Sequence, residues 1–186
     1  MVKVPDIKIL DEKNKILRTV SDEATFPLSN DDLKLINDIQ EYLKLSQIPE
    51  YYEKYNLRPG MGLAFVQLGI KKRIFVVVYE NPNKPQQFDN YVIINPKIIS
   101  HSEELIYVGE GEGCLSVNRD TEGIVPRYAR INVEYNDTEG NKKTIRVREE
   151  LSVAFQHEMD HLNGVLFVDK IDKNDPYKNE EKMREI

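Results

Sequence analysis

The chain has 186 residues with 40% hydrophobic and 31% charged side chains, and its formal net charge is −6. These values are typical of a soluble globular protein of one domain, and the acidic balance argues against a protein that binds nucleic-acid phosphates. No apolar run reaches the length of a membrane span, and the first ten residues lack a signal-peptide pattern. The single cysteine excludes an internal disulfide, so we expect a cytoplasmic protein.

The first third of the chain predicts a helix and a glycine-rich strand entry. Asn30 is a candidate N-cap, and the apolar residues after it keep helical spacing to about residue 46. The tyrosine-rich residues 51–55 lead into a Pro-Gly pair, which predicts a loop. Residues 60–67 predict a strand entry kinked by glycines, which presents the amide of Gln67 at its end.

The middle of the chain predicts two neighbouring strands. Residues 73–79 are rich in β-branched side chains, which favours a strand buried on both faces. A polar stretch with two prolines at 81–90 predicts a surface loop, and residues 91–96 resume a strand. His101 stands between two serines with no metal-ligand residue beside it, so we expect it at the surface.

The last third predicts a hairpin followed by a buried helix. Residues 130–135 and 142–147 alternate apolar and polar side chains around a turn sequence. The helix begins at Glu149 and ends at Gly164, which suits a left-handed C-terminal cap. Because this helix is apolar nearly all round, we expect it at the centre of the protein.

The predicted central helix carries the sequence His157-Glu158-Met159-Asp160-His161. Residues i and i+4 lie on one face of a helix, so His157 and His161 can bind one metal ion, with Glu158 placed to act as a base towards water on that metal. A chance match to H-E-x-x-H is expected about 0.003 times in a chain of this composition. That small expectation favours a functional motif over a coincidence.

Cys114, in the segment Glu112-Gly113-Cys114-Leu115-Ser116, is the candidate for a third ligand. A lone cysteine is more often a small buried hydrophobe, but glycine neighbours let the backbone approach another group closely, and a thiolate binds metals strongly. Two His and one Cys leave the fourth position of a tetrahedral metal open, which is the pattern of a catalytic site.

The order of elements predicts the α+β class, with antiparallel β-sheets surrounding a central metal-binding α-helix. Without repeats or linkers, we expect residues 1–186 to form one catalytic domain. Residues 165–168 predict a short strand, and the charged residues 172–186 predict a frayed tail.

Three segments in this order make the chain resemble the peptide deformylases over nearly its whole length. The family's motifs are G-Φ-G-Φ-A-A-x-Q, E-G-C-Φ-S and H-E-x-D-H. The second motif matches at 112–116 and the third at 157–161, while the first matches at Gly60, Gly62, Ala64 and Gln67. Phe65 stands where the family usually has a second alanine, which implies altered packing beside the site.

The added residues at 46–59 and 81–90 resemble those of the longer bacterial subgroup found in low-GC Gram-positive bacteria and mycoplasmas. The resemblance implies a metal-dependent hydrolase that removes the N-formyl group from the N-terminal methionine of nascent polypeptides and releases formate. The metal would be held by Cys114 and the two helix histidines.

The resemblance also implies how the reaction proceeds. Water on the metal would attack the formyl carbon, with Glu158 as general base and then acid. The side-chain amide of Gln67 and the backbone N–H of Leu115 would donate hydrogen bonds to the oxyanion.

Other residues take supporting roles by the same resemblance. Glu112 and Arg127 would pair behind the metal loop, although two exposed charges of little energetic worth remain the alternative. Gly62 and Leu63 would bind an extended peptide through their backbone, and Val153 would contribute to the methionine pocket.

The resemblance favours one divalent metal, Fe²⁺ in the cell, with Zn²⁺, Ni²⁺ or Co²⁺ as replacements that the same ligands accept. N-formylmethionyl nascent peptides would be the substrates, and the ribosome a partner; neither sequence-specific nucleic-acid binding nor membrane association is expected. Two alternatives stay open. One is a zinc endopeptidase, which shares H-E-x-x-H but usually takes a later His or Glu, and the other is an inactive relative whose metal only stabilises the fold.

Overall fold

The computed structural model describes residues 2–81, 83–85 and 87–186, and within them the chain forms three α-helices and eight β-strands. The helices are α1 (Asn30–Ser46), α2 (Pro49–Tyr55) and α3 (Glu149–Leu162). The strands are β1 (Gly62–Ala64), β2 (Ile74–Glu80), β3 (Phe88–His101), β4 (Leu105–Tyr107), β5 (Arg127–Tyr128), β6 (Arg130–Asn136), β7 (Lys142–Arg148) and β8 (Arg184–Glu185). Short 3₁₀ segments occupy Lys15–Arg18, Phe65–Leu68, Phe167–Asp169 and Glu180–Lys182.

Five strands form an antiparallel sheet in the order β1-β2-β3-β6-β7, with α1 and α3 on opposite faces. Along β2, Ile74, Val76 and Val78 pack in the cluster under α1, whereas Phe75 and Val77 pack in the cluster under α3. Successive side chains of a strand point to opposite faces, so an uninterrupted apolar run is buried on both. The prediction for residues 73–79 is therefore confirmed.

A second sheet, in the order β5-β4-β8, lies on the other side of α3. Val153 of α3 packs with Ile106 of β4 and with Ala129, while Phe155 and Leu162 pack against the five-stranded sheet. The helix is thus enclosed between two sheets, which confirms the α+β prediction. Among the described strands, β4 and β8 pair in parallel and all other pairs are antiparallel.

The two long helices have ends that the sequence explains. The N-cap of α1 is Ser29, one residue before the predicted Asn30, because Ser29 Oγ accepts from the Asp32 N–H at 3.1 Å and Asp32 Oδ2 accepts from the Ser29 N–H at 3.3 Å. After α3, Gly164 has φ +73°, and a β-carbon there would lie 2.8 Å from backbone atoms of Arg18. The predicted left-handed cap is confirmed.

Residues 172–186 do not form the expected frayed tail. Strand β8 pairs with β4, and Arg184 forms ion pairs with Glu104 and Glu149. The high local charge predicted fraying, but these charges have partners elsewhere in the sequence that a local pattern cannot reveal. The expected strand at 165–168 is also wrong, since the 3₁₀ segment Phe167–Asp169 begins there.

The tyrosine-rich residues 51–55 belong to helix α2, and the predicted loop follows this helix at the Pro-Gly pair. Pro49 suits the first helical turn, and Asn56 ends the helix in the left-handed conformation with φ 51°. The loop prediction is therefore confirmed, and the helix before it was not predicted.

The hairpin and loop predictions hold with small changes of boundary. Strands β6 and β7 pair as predicted around the turn, whereas the loop at 81–90 is shorter than expected because β3 begins at Phe88. Within that loop, Pro82 and Gln86 lie outside the described residues. Across the part of the chain that the structure describes, no helix has both the length and the apolar character needed to cross a membrane.

Candidate metal centre and active site

Three potential metal-binding side chains meet between α3 and the loop that joins β4 to β5. His157 and His161 lie one turn apart on α3, and Cys114 belongs to the loop. Their ligand atoms all lie within 4.8 Å of one another, with Cys114 Sγ 3.3 Å from His161 Nε2, and all three residues are buried. A thiolate and two imidazoles are suitable donors for Zn²⁺, Fe²⁺, Ni²⁺ or Co²⁺, so this cluster fits one divalent metal.

Glu112 and Arg127 hold the first histidine in one orientation. Glu112 Oε2 accepts from His157 Nδ1 at 2.9 Å, which leaves Nε2 to face the cluster. Arg127, which is 2% exposed, donates from Nε and Nη2 to the two oxygens of Glu112 at 2.7 and 3.0 Å. Burial opposes ionisation of Glu112, but the hydrogen bonds from His157 and Arg127 outweigh it and lower the pKa of Glu112 to about 2. Glu112 is therefore an anion at neutral pH.

Glu158 lies beside the cluster and against the backbone of Gly62. A β-carbon on Gly62 would lie 2.4 Å from Glu158 Oε1, so this close approach requires glycine. The Glu158 side chain is buried, and within the described residues its Oε2 has no hydrogen-bond partner. Burial raises the pKa of Glu158 to about 7. A carboxyl group that exchanges its proton near neutral pH has the property that a general base and acid needs.

Gln67 and Leu115 place N–H groups on the loop side of the cluster. Gln67 Oε1 accepts from the Ala64 N–H at 2.8 Å, which fixes the amide with Nε2 3.1 Å from Ser116 Oγ and 3.6 Å from Cys114 Sγ. The Leu115 N–H directly follows the Cys114 carbonyl and, within the described residues, donates no hydrogen bond. N–H donors fixed next to a metal cluster are suited to stabilising an oxyanion.

A cavity of about 380 Å³ opens over these groups. Most of the predicted site residues line it, namely Gly62, Gln67, Glu112, Cys114, Leu115, Val153, His157 and Glu158. His161 and Arg127 lie behind this wall. The side chain of Leu63 packs in the core under α1, so Leu63 offers only its backbone to a bound molecule.

Phe65 does not line the cavity. It is fully buried in the cluster that contains Ile36 and Leu43 of α1, on the sheet face away from α3. Its connection with the site is the side chain of Leu115, which belongs to the same cluster. The altered packing that this residue implies therefore lies in the core, behind the cavity wall.

Three further side chains at the site are not predicted by the sequence. Ser116 Oγ accepts from Gln67, and Asp160 accepts from Arg127 at 2.5 Å. Both residues belong to the motifs, Ser116 to E-G-C-Φ-S and Asp160 to H-E-x-D-H, so their motif positions are the sequence signal that indicates them. Arg58 contacts the loop that carries Cys114, and its partners lie 56 to 60 residues away along the chain, so no local pattern reveals it.

His101 lies apart from this site. It is exposed, and its ring stacks on Tyr128 with centroids 3.7 Å apart. The prediction of a surface residue is confirmed.

A Cys-His-His cluster with an adjacent buried carboxyl group and neighbouring N–H donors, at the base of an open cavity, defines a metal-dependent hydrolase. Residues 7–177 match the family model described as polypeptide deformylase, and the chain belongs to the peptide deformylase family. It is 45% identical to a peptide deformylase of Shouchella clausii over an alignment of 171 residues. This alignment covers 91% of this chain and 92% of that relative. A Streptococcus pneumoniae peptide deformylase is also 45% identical, over 175 residues, covering 91% of this chain and 86% of the relative.

Solved structures share the fold. A class I type b peptide deformylase from Acinetobacter baumannii, with Met-Ala-Ser bound, has a TM-score of 0.70 at 28% identity, covering 91% of this chain and 100% of that chain. The Thermotoga maritima peptide deformylase has a TM-score of 0.69 at 30% identity, covering 89% of this chain and 97% of that chain. The resemblance drawn from the three motifs is thus confirmed, and the protein is an enzyme of the deformylase type.

Proposed function

We propose that this protein removes the formyl group from the N-terminal methionine of nascent polypeptides by means of the residues described above. The observation that carries the proposal is the convergence of Cys114, His157 and His161 beside Glu158 at one cavity. This arrangement offers three ligands with a position left for the reacting molecules, as a catalytic metal site requires.

Proton transfer is the role of Glu158. A divalent metal ion held by Cys114, His157 and His161 would supply Lewis-acid activation of water and of the formyl carbonyl. Glu158 takes a proton from the water that attacks the formyl carbon and gives it to the nitrogen of the leaving amine. The C–N bond breaks, and the products are formate and a peptide with a free N-terminus.

The charge that develops on the formyl oxygen is stabilised by two donors. Gln67 Nε2 carries two N–H groups, and it lies 3.1 Å from Ser116 Oγ and 3.6 Å from Cys114 Sγ at the edge of the cluster; within the described residues, the Leu115 N–H donates no hydrogen bond. Both are held before the substrate arrives, so little reorganisation opposes the transition state.

The peptide part of the substrate is proposed to extend along β1. This strand pairs with β2 on one side only, and Gly62 on β1 borders the cavity. An extended peptide adds there as a further strand, with hydrogen bonds to the backbone of Gly62 and Leu63. Val153 and Val108 form an apolar wall for the methionine side chain. The Met-Ala-Ser bound to the similar Acinetobacter enzyme supports a peptide as the occupant.

The cellular setting follows from the substrate. We propose Fe²⁺ as the metal in the cell, with Zn²⁺, Ni²⁺ or Co²⁺ as replacements, since this donor set accepts each of them.

The chain acts as one catalytic domain, which is supported by a family match that spans every proposed site residue. Nascent chains as substrates favour a cytoplasmic enzyme with the ribosome as a partner.

The test is formate release from a formyl-Met peptide by protein purified without oxygen, with metal content measured on the same samples. Glu158→Ala should keep its metal and release no formate, because a general base is not a ligand. Metal-loaded parent protein that releases no formate would contradict the proposal. Cleavage of an internal peptide bond instead would favour the endopeptidase alternative, and loss of metal in Glu158→Ala would favour a structural metal.

A further inference from the structure

The loop that carries Cys114 and Leu115 has no regular secondary structure between the end of β4 at Tyr107 and the start of β5 at Arg127. Neither ladder nor helical hydrogen bonds therefore fix the ligand and the oxyanion donor in place. One turn bond is local to the loop, from the Val117 N–H to the Cys114 carbonyl at 3.1 Å, and the further contacts that fix these residues come from other parts of the chain.

Arg58 supplies four of these contacts through one guanidinium group. Its Nη1 donates to the Leu115 carbonyl at 2.9 Å and to Asn118 Oδ1, and its Nη2 donates to the carbonyls of Cys114 at 3.0 Å and Val117 at 3.2 Å. The donors of a guanidinium lie in a rigid plane, so four acceptors around it are compatible with a narrow range of loop conformations.

One of the four acceptors bears directly on the reaction. The Cys114 carbonyl and the Leu115 N–H belong to the same planar peptide group, and in a trans peptide they point in opposite directions. Arg58 and the Val117 N–H both donate to this carbonyl, and donors that fix the carbonyl also fix the direction of the N–H. A cationic donor on the oxygen polarises the peptide group as well, which makes its N–H a stronger hydrogen-bond donor.

We propose that Arg58 is a positioning residue, which orients and polarises the Leu115 N–H through the Cys114 carbonyl. The inference rests on the proposed role of Leu115 as an oxyanion donor. It goes further by connecting catalysis to the residues at 46–59, a stretch outside all three motifs.

The loop has other anchors that do not touch the Cys114 carbonyl. The Ser116 carbonyl accepts from the Glu12 N–H at 2.7 Å, Gln67 donates to Ser116 Oγ, and Arg127 holds Glu112. We expect these contacts to keep Cys114 near the histidines when Arg58 is replaced. Metal binding and the catalytic effect of Arg58 are therefore separable.

The experiment compares Arg58→Gln and Arg58→Lys with Arg119→Gln. Arg119 is a matched control, since it lies on the same loop but its side chain is 56% exposed and pairs with Glu12 at 2.8 Å, away from the Cys114 carbonyl. Each zinc-loaded protein is assayed for formate release and metal content, and the amide ¹⁵N resonance of Leu115 is recorded without substrate.

We expect Arg58→Gln to lower kcat about 10- to 100-fold, which is less than the 10²- to 10³-fold loss from deleting an oxyanion donor outright. KM should stay within about twofold, because the interaction is made in the transition state. Metal content should match the parent, and the Leu115 ¹⁵N resonance should move upfield as polarisation is lost. Arg58→Lys should recover part of kcat, and Arg119→Gln should behave as the parent.

Two outcomes would overturn the inference. One is an unchanged kcat in Arg58→Gln, and the other is a loss of metal in which the activity per bound metal stays at the parental level. The second would make Arg58 an anchor for the ligand only. The parent protein is assayed first, since a parent without formate release would reject the proposed function and not this inference alone.

Discussion

Gly62 and Glu158 pack so closely that a β-carbon on Gly62 would lie 2.4 Å from Glu158 Oε1. Real β-carbons do not approach other atoms this closely, so an alanine must displace the carboxylate. We expect Gly62→Ala to lower kcat roughly 100-fold, because acid–base catalysis by one group contributes about 10²- to 10⁴-fold. Formate assays on metal-loaded protein measure this loss.

Gly113→Ala is the matched control for folding and metal content in that experiment. Gly113 also borders the cavity, but among the described residues, its two chain neighbours aside, no atom lies within 4 Å of its β-carbon position. Both variants should bind metal as the parent does. Parental kcat in Gly62→Ala would show that the placement of Glu158 does not depend on this contact.

Arg127→Gln tests the ion pair behind the metal loop. The side chains of Arg127 and Glu112 are 2% and 4% exposed, and loss of Arg127 leaves the buried Glu112 carboxylate with the His157 hydrogen bond but no ion pair to an arginine. Breaking such a pair costs about 3–5 kcal/mol, which should appear as a lower free energy of unfolding in urea. We also expect faster metal loss to a chelator, because Glu112 then orients His157 less firmly.

A surface ion pair gives the comparison for Arg127. Lys34, which is 75% exposed, pairs with Asp38 on α1, and Lys34→Gln should change the unfolding free energy very little. Similar effects for the two substitutions would mean that burial adds nothing to the Arg127 pair.

Asp32 makes stability depend on pH at a site far from the metal. Burial opposes its ionisation, but hydrogen bonds from Lys72 and Ser29 outweigh burial and lower the pKa of Asp32 below 3.8. A group whose pKa is lower in the folded state stabilises the fold above its unfolded pKa, about 3.9, and this stabilisation is lost as pH falls through the folded value. The difference in unfolding free energy between parent and Asp32→Asn should therefore shrink as pH falls from about 5 through the folded-state pKa of Asp32. A difference that is independent of pH would contradict this assignment.

Val153 tests the position of the methionine pocket. It is 7% exposed, lines the cavity and packs on Ile106. Val153→Phe should fill part of the pocket and raise KM for formyl-Met peptides by about tenfold, the scale on which an apolar pocket responds to size. Formyl-Ala peptides, with a smaller side chain, should be affected less. An equal effect on both substrates would place the methionine elsewhere.

The sequence predicts best where the cause of a structure is local. Spacing on one helix put His157 and His161 together, and the uninterrupted apolar run at 73–79 predicted a strand covered on both faces. The bond between Glu112 and Arg127 was suggested by family resemblance alone, because nothing in a 15-residue separation requires contact. No local pattern indicates the role of Arg58, because its contacts form only after distant segments of the chain meet.

Residues 172–186 show the same limit of local sequence patterns, here for a prediction that was wrong. A run of charges at 172–186 predicted fraying, yet Arg184 finds carboxylates at Glu104 and Glu149 and its strand joins β4. Local composition describes how a segment behaves alone. It does not describe the partners that the rest of the fold provides.

The division of the metal ligands between residue 114 and helix α3 has a consequence for translation. Synthesis runs from the N-terminus, so Cys114 leaves the ribosome before His157 and His161 have been made. At about 5–20 residues per second, this interval is on the order of seconds. During it the thiol is exposed, without metal and open to oxidation. The metal centre can therefore form only late in synthesis, once α3 has been made.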